Sequence, residues 1–231
     1  MLLNIASTLR SVASEGPGVL EHWSNILNNR YGINAHADMG VHGFPELVRE
    51  LCLILKPIPI QLVKDCGINT IQMRSDMGPN KPYYPNHGYF TDNTVGLNAD
   101  CFYHPDRPDD FVDHRGYFLT RAQQTAIHEF GHGFDAHHDD LCLKSAWLRL
   151  SGWSEDRKQG LKKQVIREPG MPERVGEWWY DPHAGFTRFY GKMNPWDDWA
   201  DCFAFYVGGL RHKIPADKNG YFDDLLGRYY V

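Results

Sequence analysis

Thr120-Arg-Ala-Gln-Gln-Thr-Ala-Ile-His128-Glu129-Phe-Gly-His132-Gly-Phe-Asp135 is the stretch on which both the fold and the chemistry turn. Thr120 with Gln123 three residues on has the form of a capping box, and Ala122, Ala126, Ile127, Phe130 and Phe134 supply an apolar stripe. The pattern predicts an amphipathic helix opening at Thr120. On such a helix, residues four apart share a face, about 40° offset around the axis. His128 and His132 can therefore place two imidazole nitrogens on one ion, at roughly 2.0–2.1 Å from a zinc. Glu129 projects about 100° round from His128, beside the ion, where its carboxylate can take a proton from a metal-activated water. Two neutral ligands, a base and an open coordination position describe a hydrolytic zinc site.

A catalytic zinc takes a third protein ligand, and two sources compete. His138, six residues after His132, matches the spacing of the metzincins, but Asp135 stands where their turn needs Gly, and no Met-turn surrounds Met193. The other source is a second helix. Asn194-Pro195 reads as an N-cap followed by Pro at the first helical position, and Trp196, Trp199, Ala200, Phe203 and Val207 form an apolar face closed by Gly208-Gly209. Asp197 and Asp201 lie four apart off that face. One can ligate while the other accepts the N–H of a ligand histidine. An acid near a helix start also suits the helix dipole whatever its function. Asp135, seven residues from His128, either braces a ligand or is solvated near the helix end. The remaining histidines, His137 among them, have no ligand spacing.

Outward from these helices the punctuation is plain. Gly16-Pro17-Gly18 separates an N-terminal arm (1–18) from a single domain (19–231). Helices are expected over Val19–Asn29 and Phe44–Lys56, a strand over Ile68–Arg74, and a hairpin in which Tyr89–Thr91 and Thr94–Leu97 flank Asp92-Asn93. A further helix is expected over Leu141–Leu150, whereas Gly170–Met193 is too irregular to assign. The expected fold is α+β and zincin-like: a small mixed twisted sheet beside the active-site helix (to about residue 139), and a mainly helical part (140–231) completing the metal site. Thr94–Asn98 is the expected edge strand, to which a peptide substrate would add as a further strand.

Composition narrows the function classes. The 231 residues are 42% apolar with a formal charge of −5 and no basic block, so no nucleic-acid partner is expected. No apolar run approaches the roughly 18–20 residues of a membrane span. The N-terminus lacks a basic start and is broken by Asn4 and Arg10, so no signal peptide is recognised. The expectation is a cytoplasmic protein, or one delivered by a route without a signal peptide. Five scattered cysteines suggest buried, reduced thiols.

The run from Ile127 to Asp135 (Ile-His-Glu-Phe-Gly-His-x-x-Asp), the later Tyr190-Gly-x-x-Asn194, and Asp197-Asp198-Trp199-Ala200-Asp201 together resemble the gluzincin-type peptidases related to anthrax lethal factor's catalytic domain and the clostridial Pro-Pro endopeptidases. The resemblance covers the second half of the chain well. It implies a toxin-like zinc metalloendopeptidase acting on protein or peptide substrates with one catalytic zinc. His128, His132 and Asp197 would be its ligands and Glu129 its general base. Tyr190 would stabilise the oxyanion, and Asp201 would stand behind a ligand. Tyr190 also has a physical case, since a phenol beside a metal can donate to an oxygen gaining negative charge. The family usually has Glu where this chain has Asp197. One methylene fewer requires the helix to come closer, or Asp198 or Asp201 to substitute. Two rivals share the motif: a zinc hydrolase of a non-peptide amide such as a cell-wall bond, and a silent metal-binding module. Glu129 speaks against the second, because a structural zinc needs no base.

Overall fold

In a computed structural model, which describes residues 17–75, 88–103, 119–164 and 177–231, α1 runs over Pro17–Tyr31, beginning just inside the expected arm. Leu20, Trp23, Ile26 and Leu27 face the core. Gly32, at φ 77°, ends the helix with its N–H on the Asn28 carbonyl at 2.7 Å. The rest of the arm, residues 1–16, lies outside the described residues. Strand β1 (Asn34–Ala37) follows directly. Its Asn-Ala-His-Ala sequence carries no apolar alternation, because it is a mostly exposed edge held by pairing with its neighbour.

Helix α2 (Phe44–Leu55) matches its expected span and buries Leu47, Val48, Leu51, Ile54 and Leu55. A short α3 (Ile60–Asp65), not foreseen, leads to β2 (Thr70–Arg74), which turns Ile71 and Met73 inward. The hairpin forms as expected: β3 (Gly88–Thr91) and β4 (Thr94–Asn98) meet at Asp92 and Asn93, with φ of 47° and 61°. Two consecutive left-handed residues mark a tight turn whose twist matches its strands. Sheet order is β1-β2-β4-β3, with β1, β2 and β4 parallel and β3 antiparallel to β4. The expected edge role of Thr94–Asn98 is therefore corrected: β4 lies inside the sheet, and among the described residues its edges are β1 and β3. The tight turn folds β3 back onto the side of β4 that β2 leaves open.

After the short α4 (Asp100–Tyr103), the long helix α5 (Arg121–His137) starts with both capping-box bonds in place. The Gln123 N–H donates to Thr120 Oγ1 at 3.1 Å, and the Thr120 N–H donates to Gln123 Oε1 at 2.9 Å. Its stripe of Ala126, Ile127, Phe130 and Phe134 joins Ile71, Met73, Val95 and Leu97 of the sheet in one core.

The expected helix over Leu141–Leu150 divides into a 3-10 turn (Leu141–Leu143) and α6 (Ser145–Ser151). Three two-residue strands, β5 (Trp153–Ser154), β6 (Lys162–Lys163) and β7 (Trp179–Tyr180), form a small antiparallel sheet in the order β5-β7-β6. Helix α7 (Pro195–Val207) is capped by Asn194 as its sequence indicates, and α8 (Ala216–Leu226) packs beside it. Trp147, Trp199, Phe203, Tyr206 and Phe222 make this part an aromatic core. The fold is α+β, with a mixed sheet beside α5 and a mainly helical C-terminal part. All five cysteines are free and buried. Among the described residues no helix is long and apolar enough to cross a membrane.

Candidate metal centre

Helices α5 and α7 approach until their backbones nearly touch. A Cβ placed on Gly131 would lie 3.1 Å from Phe203 Cδ1 and 3.3 Å from the Ala200 Cα. That approach supplies what the shorter Asp197 side chain lacks. It brings the first turn of α7 over the face of α5 that carries both histidines. His128 Nε2 stands 3.1 Å from His132 Nε2 and 3.4 Å from Asp197 Oδ1, and His132 Nε2 is 3.5 Å from that same oxygen.

These distances test the fit to zinc. Four ligands at the usual zinc distances, arranged tetrahedrally, are about 3.3 Å apart along each edge. The triangle of His128, His132 and Asp197 has nearly the shape of one face of that tetrahedron. His128 Nδ1 donates to Asp201 Oδ1 at 2.9 Å, so in the neutral ring Nε2 presents a lone pair to its neighbour. Two imidazole nitrogens and a carboxylate oxygen converging this way suit a divalent cation, and among the described residues this is the group that could hold one.

Surrounding residues fix two corners of the triangle, His128 and Asp197. Asp201 is fully buried and takes the Arg188 Nη2 at 2.7 Å as well as the His128 ring. Asn194 grips Asp197 twice: its Oδ1 accepts the Asp197 N–H at 2.7 Å and its Nδ2 donates to Asp197 Oδ2 at 2.6 Å. The cap thus occupies one carboxylate oxygen and leaves the other facing the histidines. Tyr190, on a 3-10 turn over Phe189–Lys192, sets its ring 5.7 Å from that of His128, with the Arg188 guanidinium 4.8 Å from its centroid.

The charges respond to this crowding. Burial disfavours the imidazolium of His128, but Asp197 and Asp201 outweigh it and lift its pKa to about 10. Burial opposes the Asp197 carboxylate as well, yet the two histidines hold it well below the usual carboxylate range. Glu129 is raised, chiefly by burial, against the partial opposition of both histidines. Tyr190 is raised far above an ordinary phenol, first by the Asp197 charge and then by burial.

The other candidates are placed elsewhere. His138 stacks on Phe134 at 3.9 Å with Nδ1 on the Phe134 carbonyl at 2.8 Å. Asp198 points away from the triangle to Lys218, with Nζ 2.7 Å from each carboxylate oxygen. Asp135 is buried, and it accepts the Cys142 N–H at 2.7 Å instead of bracing a histidine. Arg188 was not foreseen. It sits in an aromatic stretch without periodicity, and its one trace is indirect: an acid on a buried helix face demands a cation. Substituting Arg188→Met leaves Asp201 buried beside His128 without that partner. Zinc affinity, measured by competition with a chelating dye, is expected to fall about 10- to 100-fold. Unchanged affinity would remove Arg188 from the metal's surroundings.

No family model matches the chain, and no curated protein does. A solved structure from Bacteroides caccae, described as a putative zinc-binding metallo-peptidase, is similar over 94% of this chain and 81% of that one, with 16% identity and a TM-score of 0.46. What the site can do follows from its own atoms.

Proposed function

We propose that the chain is a zinc-dependent metalloendopeptidase. The observation that carries the reading is the triangle of His128, His132 and Asp197, spaced like one face of a zinc tetrahedron, with Glu129 beside it. When bound there, zinc would supply Lewis acidity, polarising a carbonyl and making water a stronger acid. His128 and His132 would hold the ion through Nε2, and Asp197 through Oδ1. Asp201, held by Arg188, keeps the His128 proton on Nδ1. Glu129, neighbour to the triangle and not a corner of it, takes a proton on its carboxylate from the attacking water and returns it to the leaving amine. Tyr190, whose phenol the Asp197 charge and burial hold above its ordinary value in the metal-free site, would donate its O–H to the carbonyl oxygen as it gains charge.

A peptide substrate fits the strand edge near the base. β3 starts at Gly88, where a Cβ would come within 2.7 Å of the Glu129 side chain. An extended chain added along the free edge of β3 would run past Gly88, whose missing side chain leaves room for the general base.

The test is cleavage of a peptide library by protein stripped of metal and then reloaded with zinc. Zinc-dependent peptide products support the reading. Release of cell-wall amides without any peptide products would overturn it in favour of a non-peptide hydrolase.

Proton competition gives a second expected result. Below pH about 10 the metal-free site carries a proton on His128 that zinc must displace. Zinc affinity is therefore expected to rise with pH, by up to about tenfold per unit where one proton leaves. The metal-free protein has the opposite sign. Its raised His128 contributes stability that is full below the unfolded value of 6.5 and is lost as pH climbs through about 10. Zinc titrations and thermal melts at pH 6 and pH 9 read the two trends.

A further inference from the structure

Lys218 on α8 is a cation in the interior, at 1% exposure, far along the chain from the triangle. Its three N–H donors are all used. Nζ lies 2.7 Å from Asp198 Oδ1, 2.7 Å from Asp198 Oδ2 and 3.0 Å from the Gly185 carbonyl. The Phe186 ring sits under the ammonium at 4.6 Å, and Trp153 Nε1 donates to Asp198 Oδ2 at 3.1 Å. None of these groups has a part in the chemistry above.

Their positions along the chain give the arrangement its meaning. Asp198 is the residue after Asp197, in the first turn of α7. Gly185 opens the segment that carries Arg188 and Tyr190. Where that segment turns, Gly191 rests on Asp198 so closely that a Cβ there would be 3.3 Å from its Cα and from Oδ1. One ammonium therefore holds two pieces of the site at once: the turn bearing Tyr190 and Arg188, and the helix start bearing Asp197 and Asp201. A hydrophobic contact could bury the same surfaces but would not fix their separation, since apolar packing is non-directional. Two charge-assisted bonds and a carbonyl bond from one nitrogen do fix it.

We propose that Lys218, through Asp198 and the Gly185 carbonyl, is a positioning residue that sets the spacing between the Tyr190 turn and the Asp197 ligand. The proposal rests on the zinc-site reading, and its test separates the two. Single replacement of Lys218 would strand the Asp198 charge and strongly destabilise the protein, so both charges are removed together, as Asp198→Leu with Lys218→Met. Apolar replacement of a whole buried ion pair is often neutral for stability. A melting temperature near that of the wild type is therefore expected. If leucine does not fit beside Gly191 and the protein fails to fold, Asp198→Asn with Lys218→Met is read instead.

The readouts are zinc affinity by chelator competition and the visible absorption spectrum of the cobalt-loaded protein, which reports ligand geometry without turnover. Affinity about tenfold weaker and a shifted cobalt spectrum, at near wild-type melting temperature, are expected. Wild-type affinity together with a wild-type spectrum in the folded variant overturns the proposal, leaving the pair as packing alone. Failure of the peptidase reading would look different: the wild-type protein would cut no peptide, while the metal readouts still responded to the double substitution.

Discussion

Glu129→Gln is expected to lower kcat on a cleaved peptide by about 10²- to 10⁴-fold, the usual worth of a positioned general base. The change keeps the shape and removes the basicity. Gln still fits beside Gly88, where a side chain on the strand would collide with residue 129. It leaves the triangle untouched, since Glu129 is not among the three ligand atoms. Zinc stoichiometry and the thermal melt should match the wild type while turnover collapses. Burial raises the Glu129 pKa, which favours the proton-carrying role, because a carboxylate with a raised pKa is the stronger base. A Glu129→Gln protein with wild-type kcat would sink the mechanism.

Asp197→Ala is the second large effect. Two histidines alone make a poor zinc site. Loss of the carboxylate is expected to weaken zinc by more than the roughly 100-fold upper figure for outer partners. The measurement is dialysis against zinc followed by metal analysis, with Asp201→Ala as the milder comparison. Asp197→Glu is informative in the other direction. The triangle already closes to 3.1–3.5 Å with α5 packed against α7 at Gly131, and moving the helices apart would cost that packing. An added methylene would overfill the space, so Glu at this position should bind zinc less well than Asp does. Tighter binding by Asp197→Glu would mean that the helices can separate, against the close packing at Gly131.

Where local rules coincide with tertiary structure, the sequence was readable. The capping box at Thr120, the Asn194-Pro195 start and the Asp92-Asn93 turn are each satisfied within a few residues of chain. α5, α7 and the hairpin therefore form where they were expected. What escaped depends on distant partners. β1 is a strand only because β2 lies beside it. α8 has a polar, Gly-containing sequence and acquires its buried face from Phe222, Leu226 and the aliphatic stem of Lys218. The hairpin itself was legible, yet the inner place of β4 required knowing that β2 pairs with its other side.

The acids of α7 make the same point within the site. Asp197, Asp198 and Asp201 stand within a turn and a half, and spacing alone left the third ligand open between Asp197, Asp201 and His138. The rotation of the helix sets which acid meets the histidines, and it follows from Trp199 and Phe203 seated against Phe134 and Phe222. With those rings buried, Asp197 faces the histidines, Asp201 stands behind His128, and Asp198 turns to Lys218. Arg188 and Lys218 were illegible for a related reason. A cation's partner is fixed by where the chain returns to: Arg188 lies in a segment without periodicity, and Lys218 on the buried face of α8 meets Asp198 only through tertiary packing.

The triangle joins residues from opposite sides of a long stretch of chain, with His132 at one end and Asp197 at the other. A metal there is a removable cross-link. It closes a large loop, and loop closure costs an unfolded chain more entropy as the loop grows. Zinc would therefore act on folding as a reversible staple, raising the melting temperature with its concentration. Chelation should loosen the union of α5 with α7 before it disturbs the parallel strands, so the first amide protons to exchange in stripped protein should belong to the start of α7.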